Sequence, residues 1–189
     1  MAKFESGHED SFAGILAELG EDPKREGLVE TPRRFINALA EMTEGYAQDP
    51  VAILSKTFEG DGYDEIIAVR AIPFSSLCEH HVLPFTGTVD VAYLPGPGGR
   101  IVGLSKIPRA VAAITKRLQV QERATSEIAS AIEKALNPLG VAVVMRGSHA
   151  CMKLRGVQSD GEMHTSVMRG VFRDQPQARA EVMRLFEAK

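Results

Sequence analysis

Apolar residues along the chain alternate between two periods. Phe12, Ile15, Leu16 and Leu19 recur at helical spacing, and Gly20 stands where such a helix should stop. In "ETPRRFINALAEMTEGY" the residues Phe35, Ile36, Leu39 and Met42 share one face, with Thr31 placed as N-cap and Pro32 at the first helical position. From Glu65 the period shortens. "EIIAVRAIPF" and "FTGTVDVAYL" read as strands, the second alternating as Phe85, Gly87, Val89, Val91 and Tyr93. "PGPGGR", between Leu94 and Ile101, reads as a turn that closes a hairpin. Helical spacing returns with Ile107, Val111, Ile114 and Leu118, then with Ile128, Ile132 and Leu136, and Asn137, Pro138 and Gly140 end it. "VAVVMRGSHACMKL" and "TSVMRGVFR" predict two more strands, and "QPQARAEVMRLFEA" a closing helix. This order predicts an α+β domain built on an antiparallel sheet, with a helical region at residues 1–60 and a single functional unit at 61–189.

Composition narrows the classes without choosing among them. The 189 residues suit one domain with a substantial core. A content of 44% hydrophobic and 25% charged residues excludes a disordered or collagen-like chain. The net charge of -3 gives no electrostatic case for nucleic acid or an anionic membrane surface, so a polyanionic ligand must be small and met by a local basic cluster. No apolar run is long enough to span a bilayer and the first residues carry no signal core, which makes a cytoplasmic location the expectation.

Chemistry is concentrated in a few places. The chain has two cysteines and five histidines, yet "SSLCEHHVLPF" sets Cys78, Glu79, His80 and His81 in one row. Thiolate and imidazole are preferred zinc ligands, and Cys78 and His81, three apart, can meet one ion only from a turn. His149 and Cys151 are two apart in a predicted strand and can face the same way. Two arrangements stay open on spacing alone. In one, Cys78, His81 and Cys151 hold the metal and leave a fourth position for water, with His80 and His149 as proton carriers. In the other, His149 closes a structural site, or the cysteines are unrelated core residues.

Further along, Ser105, Lys106 and Arg109 in "GLSKIPRAV" bring a hydroxyl and two cations to a helix start, a phosphate cradle or merely an N-cap with solvated cations. Gln121 and Glu122 in "LQVQERAT" could present a carboxylate to the N–H and amino group of a guanine or pterin ring, or fill the first turn of a helix. Arg155 reads equally as a ligand for an anion or a surface partner. His8 is placed in a disordered tail and His164 in a polar loop, without roles, and Asp64 and Glu65 read as solvated charges.

Taken together, "SLCEHHVLPFTG", "GLSKIPR", "RLQVQER" and "HACMKLRG" resemble the GTP cyclohydrolase I family, and "GEDPKREGLVETPRRF" is similar to that family's N-terminal helical region. The resemblance implies the tunnelling fold, a four-stranded antiparallel sheet with two helices between its second and third strands. It implies a zinc enzyme that hydrolyses GTP at C8, releases formate and forms 7,8-dihydroneopterin triphosphate, the first step of tetrahydrofolate and pteridine synthesis. By the same resemblance Cys78, His81 and Cys151 hold Zn2+ and His80 and His149 are catalytic. Ser105, Lys106, Arg109 and Arg155 hold the triphosphate and ribose, and Gln121 and Glu122 bind guanine. A homodecamer of two pentamers with active sites at subunit boundaries is implied as well. "PGPGGR" and "SDGEMHTS" depart from the family pattern without touching these positions, and the short N-terminus argues against an accessory regulatory protein. A zinc-containing binding module without catalysis is the rival reading.

Overall fold

The computed structural model describes residues 7–188. Its N-terminal part is helical: α1 (Gly7–Glu18), α2 (Thr31–Met42), a 3-10 turn (Glu44–Ala47) and a short α3 (Pro50–Leu54). α1 buries none of its residues and packs on α2, where Phe12 stacks on Phe35 with ring centroids 4.0 Å apart. Gly20 comes just after α1 at φ +92°, a conformation glycine adopts without strain. α2 begins one residue earlier than its proline suggested: Glu30 holds the cap position, and Thr31 is already helical. His8 lies in the first turn of α1 rather than in a disordered tail.

The rest of the chain forms two sheets and the helices that cover them. A small sheet pairs β1 (Thr57–Glu59) with β4 (Arg100–Val102), and the main one has the order β5-β2-β3-β6-β7. Its long members are β2 (Ile67–Cys78), β3 (Pro84–Leu94), β6 (Gly140–His149) and β7 (Glu162–Gly170), each antiparallel to the next. α4 (Lys106–Thr115) and α5 (Gln121–Leu136) intervene between β3 and β6. The four expected strands are therefore present, and a fifth, β5 (Leu118–Gln119), joins the edge parallel to β2 through Leu77↔Leu118 and Cys78↔Gln119.

Several expectations are corrected. "PGPGGR" does not close a hairpin, because β4 turns away from β3 and pairs with β1; the β2–β3 hairpin is closed instead by Glu79–Leu83. That β1–β4 pairing also ties the end of the helical region to the chain beyond residue 60. Cys151 lies on a short helix, α6 (Ala150–Lys153), and not in a strand with His149; His164 lies on β7 and not in a loop. The chain ends in α7 (Val171–Asp174) and α8 (Pro176–Glu187).

Helices cover both faces of the sheet. On one side Val89, Val91, Tyr93, Val141, Val143 and Met145 pack against Ile107, Val111, Ile114, Ile128 and Ile132 of α4 and α5. On the other, Ala92, Ala142 and Val144 meet Phe172, Val182 and Phe186 of α7 and α8. Strand alternation explains the division, since successive side chains point to opposite faces.

β2 breaks the alternation, and the break positions the site. Its register steps from Val69↔Val91 to Ile72↔Val89, three residues against two, so one extra residue is inserted. Before the bulge the residues facing α4 and α5 are Ile67 and Val69; after it they are Ile72, Phe74 and Cys78. Without the insertion Cys78 would point to the opposite face. Ala71 takes φ +52° at the bulge, and its N–H donates to Asp90 Oδ1 at 2.7 Å.

Candidate metal and proton-transfer site

Cys78 ends β2, and the tight turn after it carries Glu79, His80 and His81. Backbone bonds close it: Cys78 N–H donates to Leu83 O at 2.8 Å, and Val82 N–H to Cys78 O at 2.7 Å, with Val82 at φ +55°. β5 and α5 brace its outer side. Glu79 N–H donates to Gln119 O at 3.0 Å, while Arg123 pairs with the Glu79 carboxylate and donates to Gln119 Oε1 at 2.8 Å. The Arg123 hydrogen bond, aided by its charge, holds the Glu79 carboxyl below the ordinary carboxylate range.

His149 ends β6 opposite Phe85, and α6 then turns Cys151 back towards Cys78. Ligand atoms of Cys78, His81 and Cys151 all lie within 4.8 Å of one another. Cys78 Sγ is 3.9 Å from Nδ1 of His81 and 3.9 Å from Nδ1 of the exposed His80. Burial pushes the Cys151 thiol up, and its hydrogen bond and charge coupling to Cys78 push the same way, against Arg155. Two thiols and an imidazole so disposed fit a borderline-soft divalent cation such as Zn2+. His149 is not one of these three and bonds Gln121 instead.

Arg155 donates to His81 Nε2 at 3.2 Å, which requires that nitrogen to be an acceptor and Nδ1 to bear the proton. A cation taken at Nδ1 would reverse both and release the guanidinium.

The His149 ring is half-buried and stacks on Phe85, centroids 4.5 Å apart and planes within 5°. Burial pushes its imidazole below the ordinary value, with the Glu122 carboxylate opposing. Nε2 of His149 lies 2.9 Å from Oε1 of Gln121. Gln121 opens α5 but is 0% exposed, and its amide nitrogen donates to Met145 O and Met163 O. Its side chain is thus turned into the protein, whereas Glu122 beside it is exposed. A cleft of about 460 Å³ opens next to His149 and Cys151, walled by Met152, Ser159, Glu162 and Met163.

Ser105, Lys106 and Arg109 stand elsewhere. Lys106 and Arg109 line a second cleft of about 370 Å³ with Lys56, Gln48 and Asp49, and the two clefts share no residue. Ser105 makes no side-chain cap bond to α4, so its exposed hydroxyl is free of the N-cap duty that sequence allowed. Within one chain, then, the predicted residues divide into a metal and imidazole group and a separate cationic group.

Sequence reading missed Phe85, Gln119 and Arg123. Arg123 comes directly after Glu122, but nothing local shows that it reaches Glu79, 44 residues earlier. The bulge did leave a trace: apolar positions switch from odd (Ile67, Val69) to even (Ile72, Phe74) inside a single apparent strand.

An α+β protein whose sheet end gathers two thiols and an imidazole beside a hydrogen-bonded histidine has a donor set that could hold a metal ion. A family model described as GTP cyclohydrolase I matches residues 8–187. The GTP cyclohydrolase 1 of Caldanaerobacter subterraneus is 52% identical over 176 residues, covering 93% of this chain and 93% of that protein. That of Rhodopirellula baltica is 49% identical, covering 94% of this chain and 76% of that one, and that of Bacillus subtilis is 47% identical, covering 93% and 92%. Among solved structures, an archaeosine synthase QueF-like protein aligns at a TM-score of 0.45 and 15% identity over 57% of this chain and 96% of that one, too low a likeness to assign a fold. The chain belongs to the GTP cyclohydrolase I family, and with it to the hydrolases. No helix among the described residues is long and apolar enough to cross a membrane.

Proposed function

We propose that this chain hydrolyses GTP at C8 of the purine, releases formate and forms 7,8-dihydroneopterin triphosphate, on a tunnelling-fold scaffold. The observation that carries the reading is the convergence of Cys78, His81 and Cys151, with His149 lining the same cleft as Cys151. Cys78, His81 and Cys151 would hold Zn2+, which when bound supplies Lewis-acid activation of water near neutral pH. The residues of the chain do the rest. His149 delivers a proton to the purine ring nitrogen as the imidazole ring opens, and His80, exposed at the mouth of the turn, serves the ribose ring oxygen. Glu122 accepts from the guanine N–H and amino group, two parallel bonds that single out this ring. Lys106 and Arg109, with Ser105 and Arg155, hold the triphosphate and ribose.

The separation of the two clefts supports a site completed between subunits, in which one copy presents the metal group and a second its cations. β7 is one of the two outer strands of the sheet, and its open edge offers a route for such copies to pair. A homodecamer of two pentamers is the assembly this reading adopts.

The test is to incubate zinc-loaded protein with GTP and assay formate and, after mild oxidation, fluorescent neopterin triphosphate, beside a chelated sample and His149→Ala. Both products from the loaded wild type alone, with zinc retained in His149→Ala, is the expected result. Zinc and GTP bound without either product would replace the enzyme with a binding module. Loss of zinc from His149→Ala would restore the closed site.

A further inference from the structure

We infer that Gln121 is a positioning residue that fixes the tautomer of His149, and so decides which ring nitrogen exchanges a proton with substrate. The inference rests on the catalytic role proposed for His149 and gives Gln121 a different task from guanine binding.

The direction of each hydrogen bond is set by its partners. Met145 O and Met163 O lie 3.2 and 2.9 Å from Gln121 Nε2, and carbonyl oxygens only accept, so this atom is the amide nitrogen and the other is the oxygen. A third partner agrees. Thr125 Oγ1 donates to Gln121 O at 2.7 Å, so the 2.7 Å contact between Thr125 and Thr165 must use the Thr165 hydrogen; Thr165 Oγ1 then accepts from Gln121 Nε2 at 3.2 Å. Oε1 faces His149 Nε2 at 2.9 Å and has no hydrogen to give. His149 must therefore donate from Nε2, which leaves Nδ1 as the ring nitrogen with a lone pair for the proton it carries.

Burial keeps the amide from swivelling. It is fully buried, so a flip would set its NH2 group against His149 Nε2 and its oxygen against two carbonyls. Gly147 gives it room: a Cβ there would stand 2.4 Å from Oε1 and 3.3 Å from Cδ. Ring orientation is set separately, by the Phe85 stack. A proton carrier held in one tautomer by a buried neighbour loses most of its rate when that neighbour goes, because the neutral ring then carries its hydrogen on the very nitrogen that must first take up the proton it later delivers.

The experiment uses the intact zinc-loaded protein with Gln121→Met, which keeps length and removes the acceptor, and Gln121→Glu, which as the buried neutral acid keeps an acceptor oxygen for His149 and an O–H for the carbonyls. Solid-state 15N spectra of histidine-labelled samples, with His149 identified by its absence from His149→Ala, report the tautomer independently of activity. Expected are a pure Nε2–H signature in the wild type, a mixed one in Gln121→Met, and kcat reduced ~100-fold or more in Gln121→Met with KM within about threefold. Gln121→Glu recovers both the signature and part of kcat. In a His149→Ala background Gln121→Met adds no further loss, since it acts through the missing ring. A raised KM at unchanged kcat would return Gln121 to substrate binding. Multiplying losses, or a pure Nε2–H signature in Gln121→Met, would also overturn the inference. Should Gln121→Met fail to fold, Gly147→Ala, which crowds the amide without removing it, must give the mixed signature, and an unchanged one sinks the proposal. If the wild type makes no neopterin the proposed function fails, while the tautomer spectra still decide the role of Gln121.

Discussion

Replacing Asp90 by alanine tests how the fold delivers Cys78 to the site. Asp90 is 3% exposed in the middle of β3. Its Oδ1 accepts the Ala71 N–H at the β2 bulge, and its Oδ2 pairs with Arg146, a diagonal neighbour on β6. A hydrogen bond to a charged acceptor is worth about 1.5–3 kcal/mol, and its loss leaves the Ala71 N–H to find another partner. The Arg146 side chain is 26% exposed, so water compensates much of that pair and about 1 kcal/mol is assigned to it. Asp90→Ala should therefore lose about 2.5–4 kcal/mol. At about 2–4 °C per kcal/mol for a chain of this length, Tm falls by roughly 5–15 °C. Asp90→Asn keeps an oxygen for Ala71 and loses only the charge, for about 1 kcal/mol and roughly 3 °C. The assay is thermal melting by circular dichroism, metal-loaded and at one fixed protein concentration, because assembly shifts apparent stability. An Asp90→Ala protein that melts within about 2 °C of wild type would refute the reasoning, showing that the ladder alone holds the bulge. Equal losses in the two variants would place the stabilisation in the ion pair instead.

Two other consequences can be checked directly. Burial raises the Tyr93 phenol above its usual value of 10.0, only partly offset by the hydrogen bond from Val102 N–H. Its folded value exceeds the unfolded one, so the stability it contributes is complete below about pH 10 and is lost as pH rises through the folded value. Of the three tyrosines, one should then ionise together with alkaline unfolding, by absorbance and circular dichroism, and Tyr93→Phe should remove that step; a reversible Tyr93 titration in intact protein would contradict the burial argument. Cys78→Ala and Cys151→Ala should each weaken Zn2+ binding by more than about 100-fold in a competition titration with a chelating dye, whereas Lys106→Ala should leave it within about twofold, and equal effects would dissolve the distinction between the two clefts.

The elements and the donor residues were decided locally. Period-two and period-3.6 patterns mark β3, β6, α4 and α5 because a strand or helix buries one face whatever it packs against. Cys78, His81 and Cys151 stand out as candidate metal donors because few residue types offer soft or borderline ligands, and two of them fall within one turn. Only the tertiary structure decided the rest, since each remaining choice depends on residues distant in sequence. Whether Cys78 faces the helices or the opposite side rests on one inserted residue in β2 and on Asp90, 19 residues from the Ala71 N–H it accepts. The glycine-rich turn after β3 leads to a strand whose partner precedes β2, because antiparallel pairing is set by whichever edge is free. Gln121 looks like a binding residue in a helix's first turn, yet its amide is consumed by Met145, Met163, Thr165 and His149, 24 to 44 residues away. A polar side chain's role depends on which partners surround it once water is excluded, and that is a property of the folded chain.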